Sequence, residues 1–106
     1  MGAVDEATAS YKRALQLQPD FPDAHTNLAN LLLENGSIDE ALMHYRAVLQ
    51  LQPNDPRPHY NLAVGFVRKG ELDPAISELE AALRIDPNYP DAAPLLKDLI
   101  ARKEQR

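Results

Sequence analysis

Three histidines carry the side chains best suited to metal or acid–base chemistry in this chain of 106 residues. His25 and His59 stand 34 residues apart, and His44 lies between them. Two imidazoles on neighbouring helices could share a metal ion, but such a site normally needs three or four ligands of fixed geometry. The chain has no cysteine and no obvious third ligand. We therefore expect His25 and His59 to be half-buried packing residues, give His44 no role, and expect no metal.

Asparagines recur at the same spacing and suit a different task. Asn27 and Asn61 are 34 residues apart, and Asn30 follows Asn27 by about one helical turn. A side-chain amide both donates and accepts hydrogen bonds, so it can pair with a peptide group of any sequence. These residues predict a peptide-binding surface. The alternative is that they are exposed asparagines that cost a helix little.

Composition and motifs exclude several other functions. No Gly-rich phosphate loop, serine elbow or recognisable carboxylate pair is present, so we expect no enzyme and no cofactor. The formal net charge is -5 and Lys and Arg are scattered, which argues against nucleic-acid binding. No apolar run approaches the ~20 residues of a membrane span, and no signal peptide is visible. With no cysteine, the chain suits a reducing compartment, and we expect it to be cytoplasmic.

A 34-residue repeat must position these side chains. The spacing is defined by three prolines, Pro19, Pro53 and Pro87, which stand 34 residues apart. Four further sets follow it, namely Gly2, Gly36 and Gly70; Ala7, Ala41 and Ala75; Asp5, Asp39 and Asp73; and Pro22, Pro56 and Pro90. A period in this range predicts stacked structural repeats, which usually form a binding surface and not a catalytic pocket.

Each repeat reads as two helices. The first helix starts at Pro22 or Pro56, because proline at the first helical position loses no hydrogen bond, and Asp55 is placed to cap it. Glycines 36 and 70 end the first helices, and the second helices open at Asp39 and Asp73. The predicted core consists of Leu28, Ala29, Leu32, Leu62, Ala63 and Phe66 from the first helices, and Ala41, Tyr45, Val48, Leu49, Ala75, Leu79, Ala82 and Leu83 from the second.

Extended over the chain, the pattern predicts an all-α fold of about six antiparallel helices. It places half a repeat at 1–18, a second helix, and full repeats at 19–52 and 53–86. A final first helix, beginning at Pro90 within 87–106, is polar enough to act as a cap.

These features resemble the tetratricopeptide repeat family. The period, the Leu28-Ala29 pair, the alanine-rich second helices and the closing prolines carry the resemblance across essentially the whole chain. It implies a right-handed superhelical solenoid that acts as a protein-binding scaffold.

The strings Pro-Asp-Phe-Pro-Asp-Ala-His-Thr-Asn-Leu-Ala at 19–29 and Glu-Ala-Leu-Met-His-Tyr at 40–45 are similar to repeats of O-linked N-acetylglucosamine transferases. In those repeats an asparagine ladder holds an extended peptide in a concave groove. Asn27 and Asn61 match the ladder, Asn30 matches a frequent second asparagine, and Leu95 interrupts it. The expected groove comprises Asn27, Asn30, Arg57, Tyr60, Asn61, Val64 and Arg68.

One subclass of the family clamps the acidic tails of heat-shock chaperones with two asparagines and three basic residues. Asn30 and Asn61 match the asparagines, but Thr26, Asp91 and Leu95 stand at the basic positions. Because Asp91 would repel the tail carboxylates, we expect no binding to chaperone tails.

Self-association is the alternative function. The opening second helix and the final first helix each lack the partner that completes a repeat in 19–52 and 53–86. The last helix of one molecule could therefore pack on the first helix of another, head to tail or by exchange, to form a homo-oligomer. The residues expected at this contact are Tyr11, Ala14, Leu15, Leu96 and Ile100.

Overall fold

The computed structural model describes residues 2–105 of the chain. These residues form six helices and no strand, which confirms the all-α prediction. The helices are α1 (Ala3–Leu17), α2 (Pro22–Glu34), α3 (Ile38–Leu51), α4 (Pro56–Lys69), α5 (Leu72–Ile85) and α6 (Ala92–Glu104). They divide into two compact units, Met1–Pro53 (unit 1) and Asn54–Arg106 (unit 2). No helix within 2–105 is long and apolar enough to cross a bilayer.

Unit 1 is built around α2, which packs against α1 on one side and α3 on the other. The helix starts at Pro22, as predicted. It ends at a turn in which Gly36 has φ 87° and the Ser37 N–H donates to the Leu32 carbonyl at 2.8 Å. Only glycine adopts this left-handed conformation without a steric penalty, so the predicted role of Gly36 is confirmed.

The core of unit 1 lies between α2 and α3. Its members are at most 7% exposed, and they are Ala24, Leu28, Ala29, Leu32 and Leu33 of α2 with Ala41, Leu42, Tyr45 and Val48 of α3. Leu49, predicted in the core, is half-buried. No described residue of α1 is buried, and its main packing partner is α2.

Unit 2 is built around α5, which packs against α4 and α6. The helix α4 starts at Pro56, and the Asp55 carboxylate accepts a hydrogen bond from the Arg57 N–H at 2.9 Å, so the predicted cap is confirmed. The C-terminal turn of α4 has the same conformation as that of α2, with Gly70 in the left-handed region at φ 85°. The core side chains of this unit include Leu62, Ala63, Phe66, Ala75, Leu79, Ala82 and Leu99, while Leu83 is half-buried.

The predicted N-caps of the second helices, Asp39 and Asp73, are wrong by two residues. The helices α3 and α5 begin at Ile38 and Leu72, and neither has a side-chain hydrogen bond at its N-cap. Asp39 and Asp73 instead lie inside the first turn. A negative charge in the first turn is favoured by the positive end of the helix dipole.

The predicted start of α6 is also wrong. The helix begins at Ala92 and not at Pro90, and Asp91 before it takes the left-handed conformation with φ 68°. Pro94 explains the difference. In a helix that started at Pro90, Pro94 would be the fifth residue, where its ring clashes with the carbonyl four residues earlier. Starting at Ala92 puts Pro94 in the first turn, where no backbone N–H is needed.

Candidate functional site

Two of the predicted peptide-binding amides lie at equivalent positions of the repeat. Asn27 is on α2 in unit 1 and is exposed, and Asn61 is on α4 in unit 2 and is half-buried. Neither side chain hydrogen-bonds to any other residue in the described range. Both amides therefore keep their donors and acceptor for solvent or a ligand.

Asn30, the third predicted amide, makes a contact within the fold. The hydroxyl of Tyr45, whose side chain is 2% exposed, donates a hydrogen bond to Asn30 Oδ1. The pair joins α2 to α3 and satisfies a hydroxyl group inside the core of unit 1. At the same repeat positions unit 2 has Val64 and Leu79, an apolar pair that needs no such bond. The side-chain oxygen of Asn30, which was predicted to bind a peptide, thus stabilises the packing of α2 on α3.

A histidine pair joins α2 to α3 at a second point. His25 Nδ1 and His44 Nδ1 are 3.0 Å apart, and the ring centroids are 5.2 Å apart. His25 Nε2 lies 2.8 Å from the Pro19 carbonyl, which can only accept, so Nε2 carries a hydrogen. A neutral His25 therefore accepts at Nδ1, and the His44 Nδ1–H is the donor. The two rings share one proton along this line.

Burial lowers the pKa of His44, and the nearby His25 lowers it further. Glu40 opposes this shift, while Lys12, which is 3.6 Å from Glu40, adds to it. The neutral form of His44 is thus the favoured one. No role was predicted for His44, although it is one of the two members of the pair.

In unit 2 the equivalent histidine has a carboxylate partner. His59 Nδ1 donates to Glu78 Oε1 at 2.7 Å, and both side chains are largely covered. Glu78 stands one repeat after His44, so the two units use the same contact with different partners. His25 and His59 are half-buried, as predicted. Within residues 2–105, no three histidine, cysteine or acidic side chains are grouped to hold a metal ion.

Aromatic rings lie on the α4 surface of unit 2. The rings of Tyr60 and Tyr89 have centroids 5.4 Å apart and are tilted by 47°. Tyr89 precedes α6 and was missed, because nothing in the local sequence shows that the loop after α5 returns to α4. Beside them, Arg57 donates from Nε and Nη2 to both oxygens of Asp55, the shortest distance being 2.6 Å. The remaining predicted groove residues of α4 are Val64, which is half-buried, and Arg68, which is exposed.

The predicted self-association residues lie on two helices. Tyr11, Ala14 and Leu15 of α1 are half-buried. On α6, Leu96 is half-buried and Ile100 is 39% exposed. The buried residues of α6 are instead Ala92 and Leu99, on the side that meets α5.

Family models match both parts of the sequence. A tetratricopeptide repeat (TPR) model matches residues 32–102, and a TPR repeat model matches residues 1–36. The chain belongs to the tetratricopeptide repeat family. The six helices and the 34-residue period are those of a TPR array. A search of curated proteins found no significant match.

Solved TPR structures superpose on the chain. MamA from Desulfovibrio magneticus RS-1 has 24% identity and a TM-score of 0.86, over 95% of this chain and 57% of that one. YrrB, described as a TPR protein with an unusual peptide-binding site, has 26% identity and a TM-score of 0.84, over 89% of this chain and 48% of that one. The chain thus spans about half the length of these proteins.

A Thermobaculum terrenum O-GlcNAc transferase mutant gives 30% identity and a TM-score of 0.82. The match covers 93% of this chain and 19% of that one. The resemblance to transferase repeats inferred from residues 19–29 and 40–45 is therefore confirmed for the TPR part.

Proposed function

We propose that this TPR chain is a protein-interaction module whose first helices bind an extended peptide or protein segment. Asn27 of α2 in unit 1 and Asn61 of α4 in unit 2 would each hold a backbone peptide group. The observation that carries this proposal is that both amides occupy the same repeat position and neither is engaged by another described residue. An amide with free donors and acceptor can satisfy both groups of a peptide unit.

The contrast with Asn30 supports this assignment. The amide oxygen of Asn30 has a structural partner, Tyr45, whereas the amides of Asn27 and Asn61 have none in the described range. Polar residues that stabilise a fold usually show such a partner. The peptide-binding site of YrrB lends further support, because that protein shares this repeat architecture.

The test uses peptides selected against the full chain from a random dodecapeptide library. We expect Asn27→Ala and Asn61→Ala each to weaken binding about three- to tenfold, the effect of losing one or two net hydrogen bonds. Asn54→Ala is the matched control, because Asn54 is an exposed asparagine in the turn before α4. The proposal is wrong if both helix variants bind the selected peptides as tightly as this control, by fluorescence anisotropy.

Self-association is a second candidate, supported by the surface of α1. Tyr45 and Val48 of α3 are buried beneath α2, but their repeat equivalents Tyr11 and Ala14 are only half-buried. A first helix from a second copy, carrying Leu96 and Ile100, would cover them as α2 covers α3. Light scattering should then show a mass that rises with concentration, and Leu15→Asp should abolish the rise. A parent chain that keeps the monomer mass at millimolar concentration would exclude this candidate.

A further inference from the structure

The tyrosine pair of unit 2 offers a surface that backbone recognition does not use. Tyr60 and Tyr89 are half-buried, so each ring is packed on one part and open to solvent on another. The ring centroids are 5.4 Å apart with a tilt of 47°, so the two rings pack against each other at an angle. Aromatic faces carry partial negative charge and attract cations.

An uncompensated carboxylate lies beside this pair. Asp91 is exposed and follows Tyr89 by two residues, in a turn where the Ala92 N–H donates to the Tyr89 carbonyl at 3.4 Å. Burial raises the pKa of both tyrosines and the charge of Asp91 raises it further, while for Tyr89 the neighbouring Tyr60 adds to the shift and Arg57 opposes it. The Asp91 side chain does not cap α6 and makes no hydrogen bond or ion pair with another described residue. Asp55 differs, because the guanidinium of Arg57 binds both of its oxygens.

The geometry points to Tyr60, Tyr89 and Asp91 as a binding site for an arginine side chain of the peptide segment. A guanidinium is planar, so it can stack on a tyrosine face and donate two hydrogen bonds to a carboxylate at the same time. A lysine ammonium can make the ionic contact but not the stack. The inference rests on the proposed function and adds sequence preference to it, since the asparagine amides recognise only the backbone.

The charge of the chain agrees with a basic ligand. Its formal net charge is -5. Arg57 also lies close to Tyr89, but its guanidinium is paired with Asp55, so Asp55, Arg57 and Asp91 together carry one net negative charge that disfavours an acidic side chain. A basic segment would instead be attracted before it makes contact, and this attraction weakens with salt.

The experiment titrates the full, isotope-labelled chain with two short peptides and follows amide chemical shifts. The peptides are acetyl-Gly-Arg-Gly-amide and its citrulline counterpart, which has the same shape and no charge. We expect the arginine peptide to shift residues around Tyr60, Tyr89 and Asp91, and the citrulline peptide to bind about tenfold more weakly. Equal affinity of the two peptides, or shifts confined to other surfaces, would overturn the inference.

Single variants test the contribution of the Asp91 charge without disturbing the backbone conformation. Asp91→Asn keeps a residue that tolerates the left-handed conformation, and it should weaken the arginine peptide about fivefold without changing the citrulline titration. Asp23→Asn is the matched control, because Asp23 has the same repeat position on α2 in unit 1, away from the tyrosines. Tyr89→Leu should reduce arginine binding further. An Asp91→Asn variant that binds the arginine peptide like the parent would contradict the assignment, as would a lysine peptide that binds equally well.

The two proposals can fail separately. The Asn27→Ala/Asn61→Ala variant tests the amides with the selected dodecapeptides, whereas the difference between the arginine and citrulline peptides tests the guanidinium site whatever the amides contribute. If that double variant loses the selected dodecapeptides while the arginine peptide gives no shifts, the arginine site is refuted and the proposed function stands. The opposite pattern refutes amide binding and keeps the arginine site.

Discussion

Replacing Tyr45 and Asn30 singly and together measures what their hydrogen bond contributes to unit 1. Tyr45→Phe removes the donor and leaves Asn30, an exposed residue, able to bond to water. The expected loss is about 1 kcal/mol, the net value of one hydrogen bond. Asn30→Ala instead leaves the Tyr45 hydroxyl without this acceptor at a site that is 2% exposed, and the cost is about 1–3 kcal/mol.

The double variant Tyr45→Phe/Asn30→Ala shows how much the hydrogen bond itself contributes to stability. With both groups absent, neither polar atom is left stranded, so the combined loss should be smaller than the sum of the two single losses by about 0.5–1.5 kcal/mol. Alanine has a higher helix propensity than asparagine, but this difference appears in both arms of the cycle and cancels. Urea unfolding of the parent and the three variants gives the four free energies of unfolding.

The control pairs Tyr45→Phe with Asn27→Ala. Asn27 lies on the same helix and bonds to no other described residue, so these two changes should add. If Tyr45→Phe and Asn30→Ala also add within about 0.3 kcal/mol, the hydrogen bond makes no net contribution and the structural role of Asn30 is refuted.

Three further predictions concern a proton, a cap and a turn. Because the pKa of His44 is lowered from 6.5, the unfolded chain binds more protons below about that pH, so stability should fall between pH 7 and pH 5. His44→Gln should flatten this dependence in urea titrations, and an equally steep curve would contradict the account. Hydrogen bonds from the Arg57 side chain lower the pKa of Asp55 from 3.8, so the stabilisation it provides is present above that pH and lost below it. Asp55→Ala should cost about 1 kcal/mol at pH 7 and Asp55→Asn less, with the differences shrinking at pH 3 in thermal melts. Gly70→Ala should cost about 1 kcal/mol from its φ of 85° alone, since an added Cβ meets nothing within 4 Å. Gly70→Asn should cost less, and equal melting temperatures for all three chains would argue against this strain.

The ends of the helices could be predicted where one residue type decides them locally. Proline at the first helical position and glycine in the left-handed region act through their own backbone, so Pro22, Pro56, Gly36 and Gly70 were located correctly. The start of α6 required two prolines to be considered together, because Pro94 forbids what Pro90 alone would allow.

Contacts between helices were harder to predict. Which side chains of α2 meet α3 depends on the rotation of each helix about its axis, and the repeat alone does not define that rotation. A signal was nevertheless present for Asn30 and Tyr45, because both change to apolar residues, Val64 and Leu79, in the next repeat. Two polar residues that are replaced together in this way indicate a contact.

The contacting residues that differ together between unit 1 and unit 2 also indicate where the chain could be cut to build chimeras. The Asn30–Tyr45 and His25–His44 contacts both cross the turn at Gly36, and the corresponding contact of unit 2, His59–Glu78, crosses its equivalent. A chimera joined at Gly36, with α2 followed by α5, would place Asn30 opposite Leu79 and leave it without the Tyr45 hydroxyl, although His25 would meet Glu78 as His59 does. A junction after Pro53 would separate none of these pairs. The transferable module is therefore a first helix together with the second helix that follows it, and shuffled libraries cut after Pro53 should yield far more folded members than libraries cut at Gly36.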